Sequence, residues 1–305
     1  MRAYDGGVAE ARSMAGASPT GVLLVDKPGG MTSHDVVART RRVLGTRKVG
    51  HAGTLDPMAT GLLVLGAGSA ARLLTYLVGL DKEYTATIRL GAASSTDDAE
   101  GELGPQADTG AVTDGRIADG VAALTGPISQ RPSTVSAIKV GGKRAYALAR
   151  AGESVELAER PVTVHEFEIA GIRRTDHLDV DVRVVCSSGT YIRALARDLG
   201  EALGVGGHLT ALRRTRVGPF AVADASQPDE PELLDAAAVA ARLFPTARLD
   251  ASETADLANG KRIPLPGDGG PIAALSPEGR LVGLVEVRGG TGRVLVNFPP
   301  EEVLA

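Results

Sequence analysis

Between Lys48 and Leu65 the chain reads Lys-Val-Gly-His-Ala-Gly-Thr-Leu-Asp-Pro-Met-Ala-Thr-Gly-Leu-Leu-Val-Leu. The stretch carries one carboxylate, Asp56, in a turn rich in Gly and Thr, followed at once by Pro57 and then by an apolar run. Pro57 biases Asp56 away from the α region. Gly50, Gly53 and Gly61 permit positive φ and close backbone approach. A carboxylate fixed on such a loop beside a buried strand suits a nucleophile or base. The same residues also spell an Asx-type turn in which Asp56 only caps its own backbone, and local composition alone favours that reading.

A family resemblance favours the first reading. Gly50-His51-x-Gly53-x-Leu55-Asp56-Pro57-x-Ala59-x-Gly61-x-Leu63 resembles the catalytic motif of the bacterial tRNA pseudouridine-55 synthases, the TruB family, at every fixed position. By that resemblance Asp56 is the catalytic aspartate. Lys82-Glu83-Tyr84 is similar to the family's K-x-Y, which places Tyr84 under the reacting base. An aromatic face stacks a flipped pyrimidine and contributes about 1–3 kcal/mol, although spacing alone fits an edge-strand Tyr equally. Gly189-Thr-Tyr-Ile-Arg193 resembles the second family signature. It implies that Arg193 pairs with the catalytic carboxylate, favouring its ionised form, and that Tyr191 lies near the nucleotide. By the same resemblance His51 fills the gap left by the extruded base, Leu212 walls the uracil pocket and Lys27, in Val-Asp-Lys-Pro, supports the loop or contacts RNA. Spacing alone would make these a turn His, a core Leu and a solvated turn Lys.

Two rival motifs are weaker. Gly66-Ala-Gly68-Ser-Ala-Ala71 matches a dinucleotide fingerprint after a strand, but Asp81 and Glu83 precede the next strand rather than end it. A tight strand-to-helix turn explains it as well. Gly142-Lys143 lacks the first Gly of a P-loop, where Ala137 stands, and its Ser or Thr, where Arg144 stands.

The elements that must position these groups read as follows. Gly21–Asp26 is an apolar strand. Thr32 or Ser33 caps a helix bearing Val36, Val37, Thr40 and Val43 on one face. Leu62–Leu65 is a strand, with a helix from about Ala70 to Val78 after it. Tyr84–Leu90, Val162–Ile169 and Leu178–Val185 alternate as strands, the last two paired. Gly189-Thr190 turns into a helix reaching about Leu203, and Leu209–Val217 is strand-like. Residues 94–119 read as an acidic, solvated connection, and 225–248 as helical until a Pro. Beyond residue 250, short apolar runs between Pro and Gly turns suit a small β-barrel.

At 305 residues the chain suits one large and one small domain. Cys186 is the only cysteine, which excludes an internal disulfide. The five histidines show no metal-ligand spacing. No apolar run is long enough for a membrane span, and the N-terminus lacks a signal-peptide pattern; the expected location is cytoplasmic. The net charge of −4 hides three basic blocks. One runs from Lys27 to Arg72, one includes Arg131, Lys139, Lys143, Arg144 and Arg150, and one holds Arg193, Arg197, Arg213, Arg214 and Arg216. Acids collect elsewhere, as at Asp97, Asp98, Glu100 and Glu102. This suits one phosphate-binding face on an acidic body; solvated helix surfaces are the plainer alternative.

Together these give an α+β expectation: a pseudouridine-synthase-like catalytic domain, its central mixed or antiparallel sheet flanked by helices, with a C-terminal PUA-like β-barrel. The expected divisions are a disordered tail over 1–19, the catalytic domain over 20–245 and the barrel over 246–305. Arg131-Pro-Ser-x-x-Ser-Ala-x-Lys139 resembles the family's RNA-gripping thumb, an insertion at about 130–155. The function implied is isomerisation of uridine-55 in the tRNA T-loop by an aspartate nucleophile and base flipping. It requires no metal or cofactor, no guide RNA and no protein partner, and the chain is expected to be a monomer with tRNA as partner. A non-catalytic tRNA-folding protein and a nucleotide-dependent oxidoreductase are the alternatives from other classes.

Overall fold

The structure is a computed structural model describing residues 19–133, 139–140, 143–144 and 157–299. The tail expected over 1–19 falls outside the described residues except for Pro19, as does most of the thumb-like insertion.

A nine-stranded sheet forms the body, in the order β1-β3-β10-β4-β9-β8-β5, with β2 paired to β3 and β11 to β10. These strands are β1 (Gly21–Lys27), β2 (Val49–His51), β3 (Thr60–Ala67), β4 (Lys82–Leu90), β5 (Gly126–Gln130), β8 (Arg160–Arg174), β9 (Leu178–Cys186), β10 (Gly207–Val217) and β11 (Phe220–Ala221). A short pair, β6 (Lys139–Val140) and β7 (Lys143–Arg144), stands apart. Every pairing in the large sheet is antiparallel except β3 with β10.

Alternation along β1 explains why both faces of the sheet are covered. Leu23 and Val25 join Val36 and Val37 of α1 (Ser33–Val43), Ile117 and Val121 of α3 (Asp114–Ala123), and Leu195 and Leu199 of α4 (Ile192–Leu203) in one core. Val22 and Leu24 join the opposite core with Leu77 of α2 (Leu74–Val78) and Ala240 of α5 (Ala236–Leu243). Two-sided burial is why β1 and β3 read as continuous apolar runs.

The second sheet is built from β12 (Thr246–Arg248), β13 (Ile263–Pro264), β14 (Gly269–Leu275), β15 (Leu281–Arg288) and β16 (Thr291–Asn297), in the order β12-β14-β15-β16-β13. Leu257 of α6 (Ala251–Ala258) packs on one side of it. Ala273, Leu281, Leu284 and Phe298 share the core of the large sheet, so the two parts are packed together. Among the described residues no helix is long and apolar enough to cross a membrane.

Two expected stretches differ. Only Ala236–Leu243 of 225–248 is α-helical. Pro228 and Pro231 interrupt the earlier part, which bonds to β1 through Ser226 and Leu234. The connection at 94–119 is not merely solvated. Ser94, Asp97 and Asp98 are buried, and α3 begins within it behind the Thr113 cap.

The paired glycines of the dinucleotide-like motif serve close packing. A Cβ on Gly66 would lie 2.8 Å from Ala71 Cα, and one on Gly68 2.2 Å from Thr20 Oγ1. The chain then enters a 3₁₀ turn, Gly68–Leu73, rather than an α-helix N-terminus.

Candidate active site

Asp56 lies on the loop between β2 and β3, and three buried side chains from other elements hold that loop. Ser33, at the start of α1, accepts from the Leu55 N–H at 2.8 Å and donates to the Leu55 carbonyl at 3.1 Å. The capping box of Thr32 and Asp35 fixes this helix start. Lys27 donates to the carbonyls of Pro28, Met31 and Pro57 at 3.0, 2.6 and 3.2 Å. Arg214 of β10 donates to the carbonyls of Leu62 at 2.7 Å and Gly53 at 3.2 Å.

Of the two expectations for Lys27, loop support and RNA contact, the geometry favours the first: it is fully buried and carbonyls occupy all three ammonium donors. It braces the loop from below.

The parallel junction makes Gly61 indispensable. Gly61 stands opposite Arg214 at φ 100°. A Cβ there would come within 2.2 Å of the Arg214 carbonyl oxygen. Gly61→Ala is expected to cost about 3 kcal/mol or more through strain and overpacking. Urea unfolding measures this, and a loss below 1 kcal/mol would contradict the close approach.

Arg193 is the centre of the charge arrangement. It sits in the first turn of α4 and is 3% exposed, against 34% for the Asp56 side chain. Its Nε lies 3.0 Å from Asp56 Oδ2, and its Nη2 donates to Asp56 Oδ1 at 3.3 Å. Its Nη1 donates to the Thr96 carbonyl at 2.8 Å and lies 3.3 Å from Asp98 Oδ2. The guanidinium is thus gripped by two carboxylates, one buried and one facing a cavity. Asp98 is fixed in turn by the Thr96 hydroxyl at 2.5 Å and the Glu100 N–H at 3.0 Å. The preceding residue, Asp97, adopts φ 62° and pairs with Arg197, one helical turn beyond Arg193, at 3.2 Å.

Gln130, at the end of β5, locks the approach to α4. Its side-chain amide accepts from the Tyr191 N–H at 2.8 Å and donates to the Tyr191 carbonyl at 3.0 Å. Gln130 is buried, so a single side chain orients the residue that precedes Ile192 and Arg193.

The cavity has a volume of about 280 Å3 and is lined by Asp56, Tyr84, Tyr191, Arg193, Leu212 and Lys82, among others. Of the residues expected at the site, Asp56, Tyr84, Tyr191, Arg193 and Leu212 converge. His51 does not line the cavity. It lies at the loop's entry, edge-on to His34 with ring centroids 5.6 Å apart. Burial, then the neighbouring His34, lowers the His51 pKa. Burial raises the Tyr84 phenol, so near neutral pH Tyr84 is a neutral stacking surface and hydroxyl.

One of the three basic blocks expected on a phosphate-binding face is reassigned. Arg213 pairs with Asp26 at 2.7 Å and Arg216 with Glu83 at 3.3 Å. With Arg193, Arg197 and Arg214, the third basic block is spent on internal contacts. Sequence reading missed Asp98, Gln130 and the bracing roles of Ser33 and Arg214.

Two buried ammoniums shape the pH response. Burial brings Lys27 and Lys82 down to about 8 from the 10.5 of a free lysine. Between pH 8 and 9 the folded chain sheds protons that the unfolded chain keeps, so stability rises there. Higher up, Cys186 opposes this, because burial lifts its thiol from 9.0 to about 11. The urea midpoint is expected to climb from pH 8 to pH 9, and to climb less in Lys27→Met. A falling midpoint would contradict the assignment.

Residues 41–192 match the TruB family pseudouridylate synthase N-terminal domain. The chain is also 60% identical over 296 residues to tRNA pseudouridine synthase B of Leifsonia xyli subsp. xyli, covering 93% of this chain and 98% of that one. The chain belongs to the TruB family. It is accordingly a pseudouridylate synthase, an isomerase. Residues 193–251 match the tRNA pseudouridylate synthase B C-terminal domain, and 244–299 the tRNA pseudouridine synthase II C-terminal domain. The relative from Thermobifida fusca, also named tRNA pseudouridine synthase B, is 55% identical over 287 residues, covering 91% and 98% of the two chains. In three dimensions, this TruB-family fold resembles a chain of an H/ACA RNP bound to a substrate RNA containing 2′-deoxyuridine. The TM-score is 0.68 at 25% identity, over 93% of this chain and 87% of that one.

Proposed function

We propose that the protein converts uridine-55 in the T-loop of tRNA to pseudouridine, with Asp56 as nucleophile at the ribose. The observation that carries this reading is the Asp56–Arg193 pair at the mouth of a cavity walled by Tyr84 and Leu212. The reaction breaks the N1–C1′ bond, turns the uracil and joins C5 to C1′. Substrate and product are isomers, so no oxidant or energy source enters the balance.

A uracil stacked inside RNA cannot reach Asp56. The nucleotide must be turned out, at a cost of a few kcal/mol. Tyr84 offers a face for the extruded ring and Leu212 an apolar wall that excludes water. Tyr191 stands beside the nucleotide, and His51 is the ring assigned to the vacated stack. Recognition of a splayed loop base by shape and stacking fits RNA binding. The relatives, each named tRNA pseudouridine synthase B, support tRNA as substrate. The protein acts without a guide RNA.

The test is incubation of the purified chain with an unmodified tRNA transcript and no other component. Carbodiimide primer extension then maps pseudouridine. A single stop in the T-loop is the expected result. Binding of tRNA with no stop anywhere would replace this reading with a folding role, and a stop elsewhere would overturn the assigned position.

A further inference from the structure

Strand β4 brings a second charged side chain to the cavity. Lys82 and Tyr84 are two residues apart on one strand, so they project from the same face, and both line the cavity that opens on Asp56. Lys82 is 5% exposed. Its ammonium donates to the Val78 carbonyl at 2.6 Å and the Leu80 carbonyl at 2.5 Å, at the end of α2 and the turn after it. An ammonium carries three donors. Among the described residues the third has no protein acceptor. The Ser188 hydroxyl also bonds to Val78 O, at 2.7 Å, and residues Ser187 to Tyr191 line the cavity on from there.

The other cations of the cavity are committed. Arg193 is shared between Asp56 and Asp98, and Arg214 is bound to loop carbonyls. Lys82 has no carboxylate within salt-bridge reach among the described residues. A buried cation anchored by two bonds, with one donor left over, therefore borders the space assigned to the pyrimidine.

We propose that Lys82 is a further catalytic residue, donating a charged hydrogen bond to a carbonyl oxygen of the uracil and stabilising the negative charge on the ring as it leaves C1′. This inference rests on the pseudouridylation reading above. When N1–C1′ breaks, its electron pair passes to N1 and spreads onto O2 and O4, while an Asp56 oxygen bonds to C1′. C5 then bonds to C1′ as the Asp56–C1′ bond breaks. C5 loses a proton to water and N1 gains one, so no atom is lost. A fixed donor at developing charge in a water-poor site is the arrangement that accelerates such steps most. Burial, then Arg214, lowers the ammonium's pKa to about 8, while Cys186 and Asp81 pull the other way. Near neutral pH it is still mostly charged.

The leaving ring supplies a readout that a structural role would not move. Fluorine at C5 stabilises the departing uracil anion, so a 5-fluorouridine substrate needs less help from a cation. Single-turnover rates would be measured for wild type, Lys82→Met and Lys82→Arg on tRNA transcripts carrying uridine or 5-fluorouridine. Nuclease digestion and mass spectrometry would follow loss of the target nucleoside. Lys82→Met is expected to be about 100-fold slower on uridine, with tRNA affinity within about threefold. On 5-fluorouridine its defect should shrink to about tenfold or less. Lys82→Arg should recover part of the rate.

A Lys82→Met rate equal to wild type overturns the proposal. So does an equal slowing on both substrates, which would make Lys82 a brace for α2 and β4 only. If the Met variant does not fold, Lys82→Gln, a donor without charge, takes its place under the same criteria. Wild-type protein that makes no pseudouridine would instead defeat the underlying reading.

Discussion

Asp56→Asn should lower single-turnover pseudouridine formation by about 10⁴-fold or more while leaving tRNA affinity nearly unchanged. Asn keeps the shape of the side chain and removes the charge. It can still accept from Arg193 Nη2, but its amide NH2 must then face the guanidinium, because Nε lies 3.0 Å from the other carboxylate oxygen. Nucleophilicity is lost outright. The Asp56 side chain is one-third exposed, so the stability change should stay within about 1 kcal/mol. Activity and stability thus separate at this position. Carbodiimide mapping, filter binding and urea unfolding on one preparation check all three quantities. A variant that retains more than about one per cent of the wild-type rate would remove Asp56 from the chemistry.

Arg193→Met should damage both. The guanidinium is the partner of Asp98, whose side chain is 3% exposed. Removing it leaves a buried carboxylate with no counter-charge, which costs about 3–5 kcal/mol. It also leaves the Thr96 carbonyl short of a donor. The rate should fall by about 10³-fold, because nothing then orients or charge-balances Asp56. Arg193→Met with Asp98→Asn should therefore recover most of the stability and none of the activity. A double variant as unstable as the single one would show that the Arg193–Asp98 contact is not what holds the 94–98 loop.

The sequence carried the frame of this site better than its electrostatics. Thr32, Ser33 and Asp35 announce α1, the alternation in β8 and β9 announces their pairing, and the motif around Asp56 announces the loop. These are local signals, written in spacing. The second carboxylate on Arg193 left none. Asp98 lies in a run of Ser, Thr and Asp that looks solvated, and only the chain's return beneath α4 buries it. The arginines of β10 misled for the same reason. Charge counted along the chain suggests an RNA-facing block, whereas Arg213 and Arg216 close on Asp26 and Glu83 from other strands. Gln130 was invisible because its partner is backbone. Lys27 looked like a turn lysine until the fold supplied three carbonyls.

The strand order has a consequence for biogenesis. β3 and β4 are neighbours in sequence but not in the sheet; β10 lies between them. Until residues 207–217 have left the ribosome, Lys82–Leu90 presents an unpaired strand edge, and so does the Thr60–Gly61 end of β3, whose other end β2 covers; such edges are the feature through which incomplete chains associate wrongly. The same strand delivers Arg214 to the loop of Asp56 and Leu212 to the cavity. Arrival of β10 thus seals the sheet and assembles the reaction centre in one step, so a nascent chain without it has neither protected edges nor activity.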